Sequence, residues 1–467
     1  MIVVDSFAGR RVAVLGLARS GRAAVAALAA GGADIVAWDD NPKARQTAGD
    51  VPLVDLNTID WQGVAALVLS PGIPLDHPAP NPAVQQARAA GVEIIGDIEL
   101  LGRTQRRARY IGITGTNGKS TTTALIGHIL ATAGRQSEIG GNLGPPALSL
   151  LPLDADGVYV LEASSFQLDL ITTLAFDVAI LLNVTPDHLD RHGDMDGYVK
   201  AKRRIFARQG AGATAIIGID DAICRDLYAE LQNTPVRTVP IAIGRTVEGG
   251  IYVEDGRLID ATGAEPLTVL DLAEAERLPG VHNWQNAAAA YAAVQAVGVE
   301  REAAARAIRS FPGLAHRQEL VDTISGIRYI NDSKATNADA AEKALACYQA
   351  IYWVAGGLPK AGGIVSLSPY FRRIRHAYLI GTATEDFAAT LGASVPFTRS
   401  GDLAAAVAAA AAQATRDGVT GAVVLLSPAC ASYDQFAHFE ARGDAFRSLV
   451  GELRAGGGSP APKGVTP

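Results

Sequence analysis

The chain has 467 residues, 48% of them hydrophobic and 19% charged, with a formal net charge of −7. That length exceeds the about 250–300 residues at which single cores stop growing, so several domains are expected. The negative balance argues against nucleic acid as the main partner and leaves any anionic ligand to local lysines, arginines and helix N-termini. Cys224, Cys347 and Cys430 stand far apart without CxxC spacing. They exclude a disulfide framework and a cysteine zinc site, and fit a reducing compartment. Residues 1–10 lack a basic start followed by an apolar run, so no signal peptide is expected. The longest apolar stretch, near Leu403–Ala412, falls short of the ~18 residues a membrane helix needs. A soluble, cytoplasmic protein is expected.

In chain order, strands are expected at Arg11–Leu17, Ile35–Trp38, Ala65–Ser70 and Val92–Ile95, with a helix at Gly21–Ala30 after the first. A second series begins with the strand Tyr110–Thr114, a Gly-rich loop and the helix Ser120–Ala133. It continues with strands Val158–Glu162, Val178–Asn183 and Thr214–Ile219, a β-rich stretch from Val239 to Ala261, and the helix Asn283–Val297. After Phe311-Pro312-Gly313 a third series holds strands Arg328–Asn331, Ala350–Ala355, Ala377–Ile380 and Ala422–Leu426. Strands alternating with helices predict parallel sheets covered on both faces. The expected organisation is three α/β domains, 1–103, 104–311 and 312–455, with a disordered Gly/Pro/Ser-rich tail at 456–467.

The strongest motif is Gly115-Thr116-Asn117-Gly118-Lys119-Ser120, between a strand and a helix. Glycines let backbone N–H groups close around phosphate oxygens, and the helix N-terminus adds positive potential. Lys119 would reach the β/γ-phosphates and Ser120 would offer a hydroxyl to Mg2+. The usual phosphate-loop pattern has glycine where Ile113 stands, so this is the tighter GxxGKS form. The earlier turn Gly16–Gly21 resembles GxGxxG but has Ala18 at the middle glycine. It is either a nucleotide site, with Asp39 accepting hydrogen bonds from a uridine or ribose, or a tightly packed turn. Glu162 and His188 each follow an apolar strand, where open parallel sheets place their ligand crevice, and could meet the phosphates held by Lys119. An acid suits Mg2+ better than an imidazole does. Tyr198–Arg204, with Lys200, Lys202, Arg203 and Arg204, has the look of a solvated basic helix face. Asn283 and Asn286 share a helix face, as a buried cap or as contacts to an adenine or ribose.

Taken together and in order, GITGTNGKSTTT, GGNLG, LEASSFQL, NVTPDHLDRH, HNWQN, GLAHR, NDSKATN and LSPACASYDQF resemble the Mur ligase family over nearly the whole chain. The last two blocks and SSFQL are similar to its D-glutamate-adding branch. The resemblance implies a Rossmann-like N-terminal domain for a UDP-linked substrate, a central phosphate-loop ATPase, and a Rossmann-like C-terminal domain for the amino acid. It implies ATP held by Gly115, Thr116, Asn117, Gly118, Lys119, Ser120 and Thr121, with Asn283, Asn286, Arg317 and Asp332. Ser20, Asp39, Gly72 and Asn142 would hold the uridine diphosphate. Lys334, Thr336, Lys360, Ser432 and Phe439 would hold D-glutamate; the lesser alternatives are an ordinary ion-pair role for Lys334 and a core role for Phe439.

By the same resemblance Lys119, Glu162, His188 and Lys202 serve catalysis. Mg2+ would be held by Ser120, Glu162, His188 and a CO2-derived carbamate on Lys202. The implied activity is an ATP-dependent ligation of D-glutamate to UDP-N-acetylmuramoyl-L-alanine through an acyl phosphate, in cytoplasmic peptidoglycan precursor synthesis. No nucleic acid, no stable membrane insertion and a monomeric chain are expected. The sequence departs from the family pattern at Gly356–Lys360, which has no acid before its lysine, and at Asp40 and Asn41, where a hydroxyl residue and a cation can occur.

Overall fold

Short apolar runs buried on both faces form the strands, as parallel sheets require. The structure, a computed structural model, describes residues 1–46, 48–360 and 362–455. The expected tail at 456–467 lies outside the described residues. Among the described residues the chain forms three sheets. The first contains β1 (Arg11–Leu15), β2 (Asp34–Trp38), β3 (Val64–Leu69) and β4 (Glu93–Ile95), all parallel, in the order β2-β1-β3-β4.

The second sheet holds β5 (Arg109–Thr114), β6 (Ser137–Gly141), β7 (Val158–Glu162), β8 (Val178–Leu181), β9 (Thr214–Gly218), β10 (Arg237–Ile243), β11 (Ile251–Glu254), β12 (Arg257–Asp260) and β13 (Leu267–Asp271). Its order is β13-β12-β11-β10-β9-β8-β5-β7-β6, parallel except where β12 pairs with β11 and β13. The third sheet holds β14 (Glu319–Ile324), β15 (Ile327–Asn331), β16 (Ala350–Gly356), β17 (Ile374–Ile380), β18 (Phe397–Gly401) and β19 (Ala422–Leu426). Its order is β14-β15-β19-β16-β17-β18, with only β14 antiparallel.

The chain divides into two compact units, residues 1–275 with 283–311, and residues 276–282 with those from 312 onward. The expected boundary near 103 falls inside the first unit. Its two sheets share one apolar core, running from Val12, Val14 and Leu28 to Tyr110, Leu161 and Leu181. Polar bonds reinforce that join. The fully buried Glu99, on the helix Asp97–Thr104, accepts from the backbone N–H groups of Thr172, Thr173 and Leu174 and from the Thr173 hydroxyl. Burial alone would raise the Glu99 carboxyl, but the bonds from Thr173, Arg103 and Thr172 outweigh it and hold the group down to about 2.

In the second unit, alternation along β16 feeds two cores. Ile351, Trp353 and Ala355 face the helix Ala338–Cys347, while Tyr352 and Val354 face the helix Leu403–Asp417. β6, β13, β14 and β18, none of which was expected from sequence, are all sheet edges. Among the described residues no helix is long and apolar enough to cross a membrane.

Candidate functional site

The loop after β5 leads directly into the helix Lys119–Thr132. Gly118 is that helix's N-cap, in the left-handed region at φ 87°, and offers no side-chain cap. A Cβ there would lie 2.2 Å from Asn286 Oδ1, so only glycine fits. Helix-start N–H groups without a side-chain cap are a ready anion site. Lys119 Nζ folds back to donate to the carbonyls of Gly115 and Thr116, both at 2.9 Å.

Amides set the loop's shape. Asn183, just beyond β8, accepts from Thr116 N through its carbonyl and from Asn117 N through Oδ1, both at 2.9 Å. Its own Nδ2 donates to Asn117 O at 3.2 Å and to Gln285 Oε1 at 2.9 Å. Asn286 is buried; its Oδ1 accepts from the Thr122 hydroxyl at 3.2 Å and its Nδ2 donates to Asn283 Oδ1 at 2.9 Å. Sequence reasoning missed Asn183 and Gln285. Their positions inside NVTPDH and HNWQN were the available signal.

Lys202 does not share the solvated face expected of its basic run. The helix Met195–Arg203 turns Lys200 and Arg203 outward, while Tyr198 and Lys202, at i and i+4, face inward and are 1% exposed. Lys202 Nζ donates to Gly115 O at 2.8 Å and sits 4.6 Å from the centre of the Tyr198 ring. Two lysines therefore converge on the Gly115 carbonyl. Burial, then the neighbouring Lys119 ammonium, pushes the Lys202 amine down to about 7. The Tyr198 hydroxyl lies 3.3 Å from Thr116 Oγ1.

Glu162 ends β7 and pairs in register with Ile113, two residues before Gly115. It is 2% exposed; Oε1 accepts from Asn142 Nδ2 at 2.6 Å, while Oε2 is buried without a hydrogen-bond partner. His188 is half-exposed at φ 52°, with Nε2 3.4 Å from Asp187 Oδ2. Its ring meets the edge of Phe166 at 5.1 Å, and Phe166 also stacks on His192 at 5.3 Å. Burial, then the nearby His188 and Lys202 side chains, lowers the His192 imidazole to about 4.

The expected uridine diphosphate residues spread over the first unit. Asp39 Oδ2 accepts from Leu17 N at 2.6 Å and Oδ1 from Asn41 N at 2.8 Å. Ser20 bonds the buried Asp97, whose carboxyl burial raises. Gly72 O accepts from Arg191 Nη1 at 2.9 Å, tying the loop after β3 to the His188 segment. Asn142 is joined to Glu162 rather than to this group.

In the second unit, Lys334 Nζ lies 4.1 Å over the Phe439 ring, and Thr336 N donates to Lys334 O at 2.8 Å. Ser432 is buried, Lys360 is exposed, and Leu358 pairs with Ala431 through two backbone bonds. Asp332 is 4% exposed; Oδ1 accepts from Gln318 N at 3.1 Å and Oδ2 from Ser427 Oγ at 2.8 Å. Burial pushes its carboxyl up to about 7 against those bonds. Arg317 follows the buried His316 in the same loop.

A strand, a glycine loop and a lysine-led helix, set within parallel α/β architecture, define a phosphate-binding enzyme fold. Residues 113–294 match the Mur ligase middle domain and residues 316–430 match the Mur ligase, glutamate ligase domain. The chain belongs to the Mur ligase family. It is similar to the UDP-N-acetylmuramoylalanine–D-glutamate ligase of Caulobacter vibrioides, 53% identical over 470 residues, covering 99% of this chain and 100% of that one. The enzyme of the same name from Rhodospirillum rubrum is 51% identical over 468 residues, covering 97% of each. Among solved structures, the UDP-N-acetylmuramate-alanine ligase of Thermotoga maritima shares the fold with a TM-score of 0.56 at 16% identity, covering 96% of this chain and 99% of that one.

Proposed function

We propose that this chain joins D-glutamate to UDP-N-acetylmuramoyl-L-alanine, using ATP and Mg2+, as a step of cytoplasmic peptidoglycan precursor synthesis. The observation that carries the reading is the meeting of Lys119 and Lys202 on the Gly115 carbonyl, just beyond the strand that pairs with Glu162. The Lys119 ammonium and helix-start N–H groups form a site for the β- and γ-phosphates, where catalysis is positioning and charge stabilisation. In this reading residues 1–103 bind the uridine diphosphate through Ser20, Asp39 and Gly72. Residues 104–311 bind ATP, and residues 312–455 bind the amino acid.

The donor chemistry fits Mg2+. Glu162 keeps one buried carboxylate oxygen unpaired, Ser120 adds a hydroxyl, and His188 lies in the segment that follows β8, the strand on the other side of β5. Among the described residues no cluster of three or more His, Cys, Asp or Glu could hold a metal alone. That suits a cation which takes one or two protein carboxylates and completes its shell with substrate phosphates and water. When bound, it would neutralise charge on the transferring phosphoryl group.

A carboxylate oxygen of the UDP-linked acid bonds to the γ-phosphorus as the bond to ADP breaks. The product is an acyl phosphate. The neutral amine of D-glutamate then bonds to the acyl carbon, phosphate departs with its bonding electron pair, and the amine releases a proton. Lys119 holds the phosphates throughout. The burial of Lys202 beside Tyr198 supports a carbamate on its amine, formed with CO2, as a further oxygen donor. Activity that survives both removal of CO2 and Lys202→Ala would overturn that assignment.

The test of the whole reading is phosphate release from ATP and Mg2+ with UDP-N-acetylmuramoyl-L-alanine, comparing D-glutamate with L-glutamate, L-alanine and meso-diaminopimelate. Release requiring both the nucleotide acid and D-glutamate is expected. Release with another amino acid would overturn the assigned specificity.

A further inference from the structure

Arg442 is the largest buried charged side chain of the second unit, 1% exposed, on the helix Phe439–Ala455. Among the described residues none of its hydrogen bonds ends on a carboxylate. Nε donates to Ser333 Oγ at 3.0 Å, and Nη2 donates to Ser333 O at 2.9 Å and to Cys430 O at 3.1 Å. Nη1 reaches Ala431 O at 3.4 Å. Burial lowers its guanidinium to about 10, an effect that the nearby Cys430 and Asp434 only partly offset.

A buried charge of this kind is costly, and an apolar side chain of similar volume often stabilises a core as well or better. Simple packing therefore does not explain an arginine here. What the guanidinium supplies is a rigid fork that fixes several acceptors at once.

The acceptors are informative. Ser333 immediately precedes Lys334, and its hydroxyl also donates to Phe439 O at 2.8 Å. Cys430 and Ala431 immediately precede Ser432. Ala431 in turn pairs through both backbone groups with Leu358, two residues before Lys360. Phe439 lies one helical turn before Arg442 and carries the Lys334 ammonium over its ring. One buried side chain thus joins the segments bearing Lys334, Ser432 and Phe439, and reaches the Lys360 loop through Ala431.

We propose that Arg442 is a positioning residue for the incoming amino acid, setting the spacing of Lys334, Ser432 and Phe439 and hence the affinity for D-glutamate without touching it. The inference rests on the D-glutamate reading of these residues given above. Its consequence is selective. A loosened fork changes how well a dicarboxylate is gripped, while the phosphate loop, in the other unit, keeps its own geometry.

Arg442→Lys retains the charge and loses the fork, and Ser333→Ala removes one acceptor while leaving the arginine. Steady-state kinetics with each of the three substrates varied in turn, with melting temperature recorded alongside, tests the proposal. Arg442→Lys is expected to raise KM for D-glutamate about tenfold, with KM for ATP and for the UDP-linked acid within about twofold of wild type. Ser333→Ala is expected to raise KM for D-glutamate about threefold. Unchanged KM for D-glutamate in both variants would overturn the proposal, as would equal changes for all three substrates that track the loss of melting temperature. Should Arg442→Lys fail to fold, Ser333→Ala decides alone. Lys334→Ala separates the two layers. If it raises KM for D-glutamate and the other variants do not, only the positioning role falls; if it too leaves KM unchanged, the D-glutamate reading falls with it.

Discussion

The first unit contains two glycine turns built on the same plan, a parallel strand running into a helix, and they do different work. In the turn Gly16–Gly21 the glycines serve packing. A Cβ on Gly21 would stand 1.7 Å from Gly16 O, and the N–H of Leu17 is already taken by Asp39. In the loop Gly115–Gly118 the shape is imposed from outside by Asn183 and Asn286, and two lysines bond the Gly115 carbonyl. The difference teaches that a glycine-rich strand–helix turn is only a frame. The cations and amides that other strands bring to it make a phosphate site.

The sharpest way to break the comparison is Lys119→Ala, because the first turn has no lysine in the equivalent place. We expect kcat to fall at least about a thousandfold with the fold intact, measured by phosphate release and circular dichroism. A smaller loss would mean that Lys119 is not what distinguishes the two turns. Next come the glycines themselves. Gly21→Ala should destabilise the first unit by about 3 kcal/mol, an overpacking cost read in chemical denaturation. Gly118→Ala should instead abolish ATP binding, read calorimetrically, with a smaller stability loss of roughly 1–2 kcal/mol from a left-handed alanine. Equal stability losses with ATP binding retained would erase the distinction.

The join between the two sheets gives a pH test. Glu99 is held down to about 2 in the folded chain against an ordinary value of 4.5. Its contribution is therefore fully present above about pH 4.5, and is lost as pH falls toward about 2. A shift of that size on a fully buried carboxyl corresponds to roughly 3 kcal/mol. Denaturation midpoints should fall over that window in the wild type, and more shallowly in Glu99→Gln, which begins lower. Parallel acid limbs would show that other groups hold the sheets together.

Much of this was legible from sequence where burial is two-sided. The expected strand Val158–Glu162 and the expected strand Ala422–Leu426 are the observed β7 and β19, because interior parallel strands must be apolar throughout. Edge strands such as β6, which reads Ser-Glu-Ile-Gly-Gly, bury little and leave no such signature. The phosphate loop was legible because glycine, lysine and hydroxyl residues fall together locally. What could not be read was whatever depends on distant partners. The charges of the basic run at 198–204 gave no sign by themselves that Lys202 turns inward with Tyr198, which only the resemblance singled out, and Asn142 gave none that its amide bonds Glu162. Nothing in the sequence singled out Arg442, since only the folded chain shows it bonded to the Ser333 and Cys430 carbonyls.

The smallest expected effect sharpens the comparison from the side of the first turn. The Asp39 carboxylate already orders Leu17 and Asn41, yet each of its oxygens can accept more than one hydrogen bond. If the turn is also a nucleoside site, the remaining capacity serves a uridine or ribose donor. Asp39→Asn keeps the shape and most of the backbone bonding but weakens the acceptor. KM for UDP-N-acetylmuramoyl-L-alanine should rise about tenfold while kcat and KM for ATP stay near wild type, since a charge-assisted bond to bound substrate is worth about that much. A variant with wild-type KM and a lowered melting temperature would place the turn on the packing side. The nucleotide chemistry would then belong to the phosphate loop alone.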